Sequence, residues 1–220
     1  QLDEPSTDQG PAKHAAIDQQ CAKAWSLRYS APNQAIKEAE QILRNAHQKG
    51  YVWGEARAYQ IIGVCQSLMS EFEPALDHLQ TALDIFQSRR YTESAAEATA
   101  HIATVYTLME QFDIALNWQF KALEKSEKLK LDQVHTNTLY NIGVIYNELG
   151  NPEQALKFHQ KALANKKNAG EEEFSVITSL SAIGEVYQKM ERYVTALEYQ
   201  QEALSKGKLL GMQYAVAVPM

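Results

Sequence analysis

The chain has 220 residues, of which 45% are hydrophobic, with 10 glycines and 6 prolines. That is enough apolar side chain to bury a core, and too little charge and chain-breaking residue to stay disordered. A formal net charge of −6 excludes the concentrated positive field that phosphate backbones and anionic lipid select for, so neither nucleic acid nor membrane is an expected partner.

Residues 1–11, with Pro5, Ser6 and Gly10, read as a flexible lead-in. From there the pattern is helical throughout, and helices are predicted at 12–30, 33–49, 52–69, 72–88, 92–109, 112–129, 132–149, 152–168, 172–190 and 193–210. Four segments align without gaps: IIGVCQSLMSEFEPALDHLQTAL, HIATVYTLMEQFDIALNWQFKAL, NIGVIYNELGNPEQALKFHQKAL and AIGEVYQKMERYVTALEYQQEAL, at intervals of 40, 40 and 41 residues. A fifth copy, CAKAWSLRYSAPNQAIKEAEQIL, precedes them and is degenerate in its first helix. Each copy reads as two helices, and stacked copies share one core, so a single domain is expected over 12–212 in units of 12–50, 51–90, 91–130, 131–170 and 171–212. Residues 213–220 read as the opening of a further, truncated helix, an excerpt of a longer protein.

Small residues recur where two helices must approach closely: Gly63, Ala103, Gly143 and Gly184 in the first helices, and Ala35, Ala75, Ala115, Ala155 and Ala196 in the second. Ala82, Ala122, Ala162 and Ala203 lie two turns further along the same face. Tyr106, Tyr146 and Tyr187, with Phe72, Phe112 and Tyr193 at the turns, are expected to fill the gaps between. In Gly150-Asn151-Pro152, glycine ends one helix, asparagine caps the next and proline occupies its first turn. Gly50 and Gly170 end helices in the same way.

Little in the sequence reads as chemistry. The six histidines, at 14, 47, 78, 101, 135 and 159, show no metal-ligand spacing, and no phosphate-binding loop or nucleophile elbow occurs. No catalytic residue, metal or cofactor is expected. Glu171, Glu172 and Glu173 sit where a helix begins and complement its dipole. Lys121, Lys125 and Lys128, and Lys157, Lys161, Lys166 and Lys167, lie toward helix C-terminal halves and read as a solvated face. Cys65 reads as a small core residue, and Trp25, Trp53 and Trp118 as packing or inter-repeat contacts. Two cysteines without a framework spacing fit a reducing compartment, and a cytoplasmic location is expected. No stretch approaches the roughly 18 apolar residues of a membrane span, and the N-terminus lacks the layout of a signal peptide.

The glycine, alanine and tyrosine spacing resembles the tetratricopeptide repeat family over about residues 15 to 210. The family's common period is about 34 residues. The longer form here is similar to kinesin light chains, to the quorum-peptide-binding regulators of bacteria and to arrays ahead of bacterial signalling output domains. The resemblance implies an all-α fold, a right-handed superhelical solenoid of five helical hairpins, whose first helices line a concave face that holds a protein or peptide. Counted from the small residue of each first helix, the inward positions are Arg57, Gln60, Ile61, Val64, Ser67 and Leu68, then Glu97, Ala100, His101, Thr104, Thr107 and Leu108. The fourth unit contributes Asn137, Tyr140, Asn141, Val144, Asn147 and Glu148, and the fifth Thr178, Ser181, Ala182, Glu185, Gln188 and Lys189.

Of these, Gln60, His101, Asn137, Tyr140, Asn141, Asn147, Glu185 and Gln188 are the candidate groove residues. Asn141 matches the asparagine with which peptide-binding members grip a ligand backbone, since one amide satisfies both the N–H and the C=O of a peptide unit. The alternative is that it bonds a neighbouring helix or water. The lysine–asparagine clamp of chaperone adaptors is not reproduced, because Gln60 and Val64 occupy its positions. The expected function is therefore a peptide- or protein-binding module, the sensory or scaffolding part of a bacterial signalling protein, and not an enzyme. Two alternatives stay open: the regulatory region of a larger enzyme of nucleotide cyclase or kinase type, and a scaffold that forms homodimers through its last repeat.

Overall fold

A computed structural model describes residues 14–169 and 173–209. The described residues form ten α-helices and no strand: α1 (Ala15–Leu27), α2 (Pro32–Gln48), α3 (Val52–Leu68), α4 (Phe72–Ser88), α5 (Thr92–Leu108), α6 (Phe112–Leu129), α7 (Asp132–Glu148), α8 (Pro152–Ala169), α9 (Glu173–Lys189) and α10 (Tyr193–Leu209). Their ends fall within about three residues of the sequence reading. The expected lead-in and truncated last helix, together with Gly170, Glu171 and Glu172, lie outside the described residues; Glu173 opens α9. None of the described helices is long and apolar enough to cross a membrane.

The chain divides into two compact units, residues 1–125 and 126–220, with the division inside α6. Within the first, α2 packs on α3, α3 on α4 and α4 on α5, while first helices also meet side by side, α1 on α3 and α3 on α5. In the second unit the same order repeats: α7 on α8, α8 on α9, α9 on α10, and α7 against α9.

The turns explain why the hairpins close so regularly. In seven of them one residue adopts the left-handed conformation: Gly50 and Gly150 at φ 64° and 69°, but also Ser70, Arg90, Glu110, Lys130 and Glu191 at φ 55–65°; the turn between α1 and α2 has no such residue. The residue after it sends its N–H back to a carbonyl five residues earlier, as from Glu71 to Gln66, Tyr91 to Phe86, Gln111 to Tyr106 and Asn151 to Tyr146, which satisfies carbonyls the helix end would otherwise leave orphaned. Asn151 caps α8 as expected, its Oδ1 accepting from the Gln154 N–H at 3.2 Å.

The small-residue series are buried in both units. Ala35, Ala75, Ala115 and Ala155 have no exposed surface, nor do Ala82, Ala122 and Ala162, while Ala196 and Ala203 keep a few per cent. A Cβ on Gly63 would stand 2.7 Å from Leu79 Cγ and 2.9 Å from the Ala75 carbonyl oxygen; on Gly143 it would meet the His159 ring at 2.7 Å. Tyrosines of the first helices stack across their hairpins, Tyr146 on Phe158 and Tyr187 on Tyr199 with centroids 5.6 and 5.5 Å apart. Tyr193 departs from the expected gap-filling role. It is 64% exposed, because among the described residues no helix packs beyond α10.

Two further departures concern charge and thiols. Lys166, read from sequence as part of a solvated face, is buried, with Nζ donating to the Ser175 carbonyl at 3.0 Å. The position it occupies in α8 is a core position, held one repeat earlier by the buried Ser126 and two repeats earlier by Phe86. Both cysteines are buried, and burial pushes the thiols up to about 12 at Cys21 and about 11 at Cys65, so Cys65 acts as the small core residue expected.

Candidate functional site

The first helices of the two units differ in what they leave open. On α3, the inward positions Gln60, Ile61, Val64 and Ser67 are all buried. Gln60 has no exposed surface, its Oε1 accepts from Arg57 Nη1 at 2.7 Å, and its Nε2 is enclosed without a partner among the described residues. It is therefore part of the interior of unit 1 and not an open groove residue, contrary to the helical-wheel count. That count places α3 correctly but cannot see α1. Trp25 of α1 reaches across to His101 of α5, ring centroids 5.5 Å apart, and lies between two guanidinium groups, Arg28 at 4.2 Å and Arg57 at 4.6 Å. Arg57 in turn bridges to Glu97 at 2.8 Å.

His101 is accordingly tied into this cluster. Burial, then the charges of Arg57 and Arg28, push its imidazole down to about 3, so it is neutral at physiological pH. Trp25 and Arg28 were not picked out as wall residues from sequence; the only signal was the departure of the first copy from the repeat in its first helix.

The wall of α7 is more open than that of α3. Asn137 is exposed and Asn141 half-buried, one turn apart on α7, and neither side chain has a hydrogen-bond partner among the described residues. Tyr140 and Val144 beside them are half-buried, and Glu185 and Gln188 of α9 are exposed. Asn147 behaves differently. It is 9% exposed, its Oδ1 is enclosed without a partner among the described residues, and its carbonyl accepts from Lys189 Nζ at 3.3 Å. Lys189 also pairs with Glu148 at 3.2 Å, so the C-terminal ends of α7 and α9 are tied together. The strip of neutral amides expected over Asn137, Tyr140, Asn141 and Asn147 is thus open at its first three members.

Tyr140 is held from behind. Its ring lies 5.2 Å from that of His159 and 5.0 Å below Lys166 Nζ. Burial, then the nearby Glu185 carboxylate, raise the phenol above its ordinary value, so the hydroxyl keeps its proton and can donate. Burial, then Lys166, hold His159 down to about 4. Such a wall can do what its groups allow: two free amides and a phenol offer donors and acceptors to an extended backbone, with Glu185 supplying one negative charge. Among the described residues, no three His, Cys, Asp or Glu side chains gather where they could hold a metal ion.

Stacked antiparallel helical hairpins with small residues at the crossings define a helical-repeat protein. The tetratricopeptide repeat family matches residues 94–168 and 134–208, together more than half of the chain, which therefore belongs to that family. Tetratricopeptide arrays bind proteins and peptides. Among solved structures the chain is similar to aspartyl phosphate phosphatase F from Bacillus subtilis, with a TM-score of 0.75 and 18% identity over 93% of this chain and 55% of the other. It is also similar to a Podosopora anserina putative kinesin light chain of nearly identical TPR-like repeats, with a TM-score of 0.65 and 13% identity over 90% of this chain and 98% of the other. A third is the Rap conjugation gene regulator of the plasmid pLS20 in complex with a Phr peptide, with a TM-score of 0.72 and 16% identity over 89% and 52%. The chain thus spans about half the length of the phosphatase and of the plasmid regulator. No curated protein sequence matches significantly.

Proposed function

We propose that this chain is a peptide-binding module whose ligand lies extended along the wall of α7 and α9, gripped through its backbone by Asn141, and that it serves as the sensory or scaffolding part of a bacterial signalling protein without catalysis of its own. The observation that carries the reading is the pair Asn137 and Asn141, two amides one turn apart, open to solvent and bonded to nothing among the described residues. Neither amide is committed to a bond within the fold, so both donors and acceptors are available to a ligand beside a phenol that keeps its proton. The plasmid regulator, solved with a Phr peptide, supports the same class of ligand for a related fold.

A peptide array probed with the parent chain and with Asn141→Ala tests this. Removing the amide leaves a peptide N–H or C=O of the bound ligand unpartnered, so affinity for captured peptides falls by about 1 to 3 kcal/mol, roughly 5- to 150-fold, at unchanged helicity. Equal binding by the variant refutes the assignment of Asn141, and no capture by the parent refutes the peptide reading.

A further inference from the structure

Behind the open wall, α8 buries polar groups at two positions that are apolar in α4; between them in the repeat stand the buried Gln119 and Ser126 of α6. His159 and Lys166 of α8 stand two repeats after Leu79 and Phe86, and all four are buried. Placing an imidazole and an ammonium where a leucine and a phenylalanine serve elsewhere is not explained by stability, because hydrophobic replacement of buried charge is often neutral or stabilising. The geometry accounts for what these groups do. Lys166 Nζ bonds the Ser175 carbonyl at the start of α9 and sits 5.0 Å from the Tyr140 ring, within cation–π range. His159 contacts the same ring at 5.2 Å and an interplanar angle of 58°. Its own ring is wedged against α7 at Gly143, where an added Cβ would stand 2.7 Å from it. Glycine at that crossing is what admits the imidazole.

We propose that Lys166 and His159 are positioning residues for Tyr140, fixing its ring from the outer helix α8 so that its hydroxyl is presented as a donor to a peptide carbonyl on the α7–α9 wall. The inference rests on the reading that a peptide lies on that wall. A tyrosine already locked in its binding rotamer loses less freedom when ligand arrives, an advantage of about 3- to 10-fold in affinity for one immobilised side chain. Residues that touch no ligand thereby set its strength.

The test restores the apolar chemistry of α4, with His159→Leu and, as volume-tolerant replacements, Lys166→Met and Lys166→Phe. Arrayed peptides captured by the parent are the probe. The proposal expects unchanged helicity, a melting temperature no lower than the parent's in Lys166→Met, and binding about 3- to 10-fold weaker. Tyr140→Phe should weaken binding as well, and Tyr140→Phe combined with Lys166→Met should be no weaker than Tyr140→Phe alone. Parent-like binding by Lys166→Met, or losses that add in full, overturns it. A second readout needs no ligand: the Tyr140 ring proton resonances, assigned by their absence from Tyr140→Phe, should move in both Lys166→Met and His159→Leu. Unmoved resonances refute the positioning role, whereas moved resonances with no peptide captured by the parent refute the peptide reading instead.

Discussion

Glycine occupies the same place in three of the first helices, α3, α7 and α9, yet replacement of each by alanine should change stability in different directions. Alanine in a helix interior is favoured over glycine by about 1 kcal/mol, so an unobstructed site gains that much. At Gly184 the nearest atom to an added Cβ is Gln200 Cγ at 3.1 Å, part of a flexible side chain, with the Ala196 carbonyl at 3.3 Å. A shift of a few tenths of an ångström relieves both, and Gly184→Ala should be neutral or gain up to ~1 kcal/mol. At Gly143 three atoms of the His159 ring lie within 2.9 Å, and the ring is 1% exposed with no room to retreat. Overpacking of a filled core costs about 1 to 3 kcal/mol, so the net effect is a loss of roughly 1 kcal/mol. At Gly63 the obstacle includes backbone, the Ala75 oxygen at 2.9 Å, as well as Leu79 Cγ at 2.7 Å, and the loss should be the largest of the three. Thermal melts followed by circular dichroism resolve the order, since each kcal/mol moves the midpoint by about 2–4 °C in a chain of this size. The loss in Gly143→Ala should shrink in a His159→Ala background. A Gly143→Ala chain that melts at or above the parent, or a loss that His159→Ala leaves unchanged, refutes the account of how these helices cross.

Arg90 and Glu110, at φ 59° and 58°, carry a left-handed strain that glycine lacks, so Arg90→Gly and Glu110→Gly should each gain about 0.5–1 kcal/mol of stability after the entropy of the unfolded glycine is deducted, raising the melting midpoint by about 1–4 °C. Gly150→Ala, at φ 69° with nothing within 4 Å of the added Cβ, should lower it through strain alone, and melts of the three chains check the sign. Stability should also fall with acid in a window set by the buried imidazoles. His159 is held near 4 against an ordinary value of 6.5, so the unfolded chain binds the extra proton; the contribution is intact above about pH 6.5 and is lost as pH falls toward 4. His159→Leu should flatten the urea-unfolding free energy over that window by about one proton per molecule, and an unchanged slope would show that His159 is already charged in the fold.

The architecture was legible in the sequence because the spacing of Gly63, Ala103, Gly143 and Gly184 and of the second-helix alanines is a direct record of which faces touch. Burial of Ala35, Ala75, Ala115 and Ala155 follows from that record. The wall was legible only in part. Asn137, Tyr140 and Asn141 stand where a helical wheel places them, but the wheel treats every unit alike and cannot register a side chain arriving from another helix. Trp25 arrives in this way, lying across unit 1 to His101, and Gln60 is wholly buried. Lys166 escaped for a related reason. Read along α8 it belongs to a run of lysines; read down the repeat it shares a buried column with Ala46, Phe86, Ser126 and Gly207. The turns gave an opposite lesson. Sequence marks only glycines, Gly50, Gly150 and Gly170, as helix ends of this kind, whereas five turns reach the same conformation without glycine, held by returning N–H bonds.

The claim on which the functional account turns is that ligand contacts α7 and not the outer helices. A photo-crosslinking amino acid placed at Asn137 on α7, or at Lys157 on the exposed side of α8, and irradiated with an array-captured peptide decides it. Labelling from position 137 with none from position 157 is the predicted result; labelling from 157 with none from 137 would contradict it.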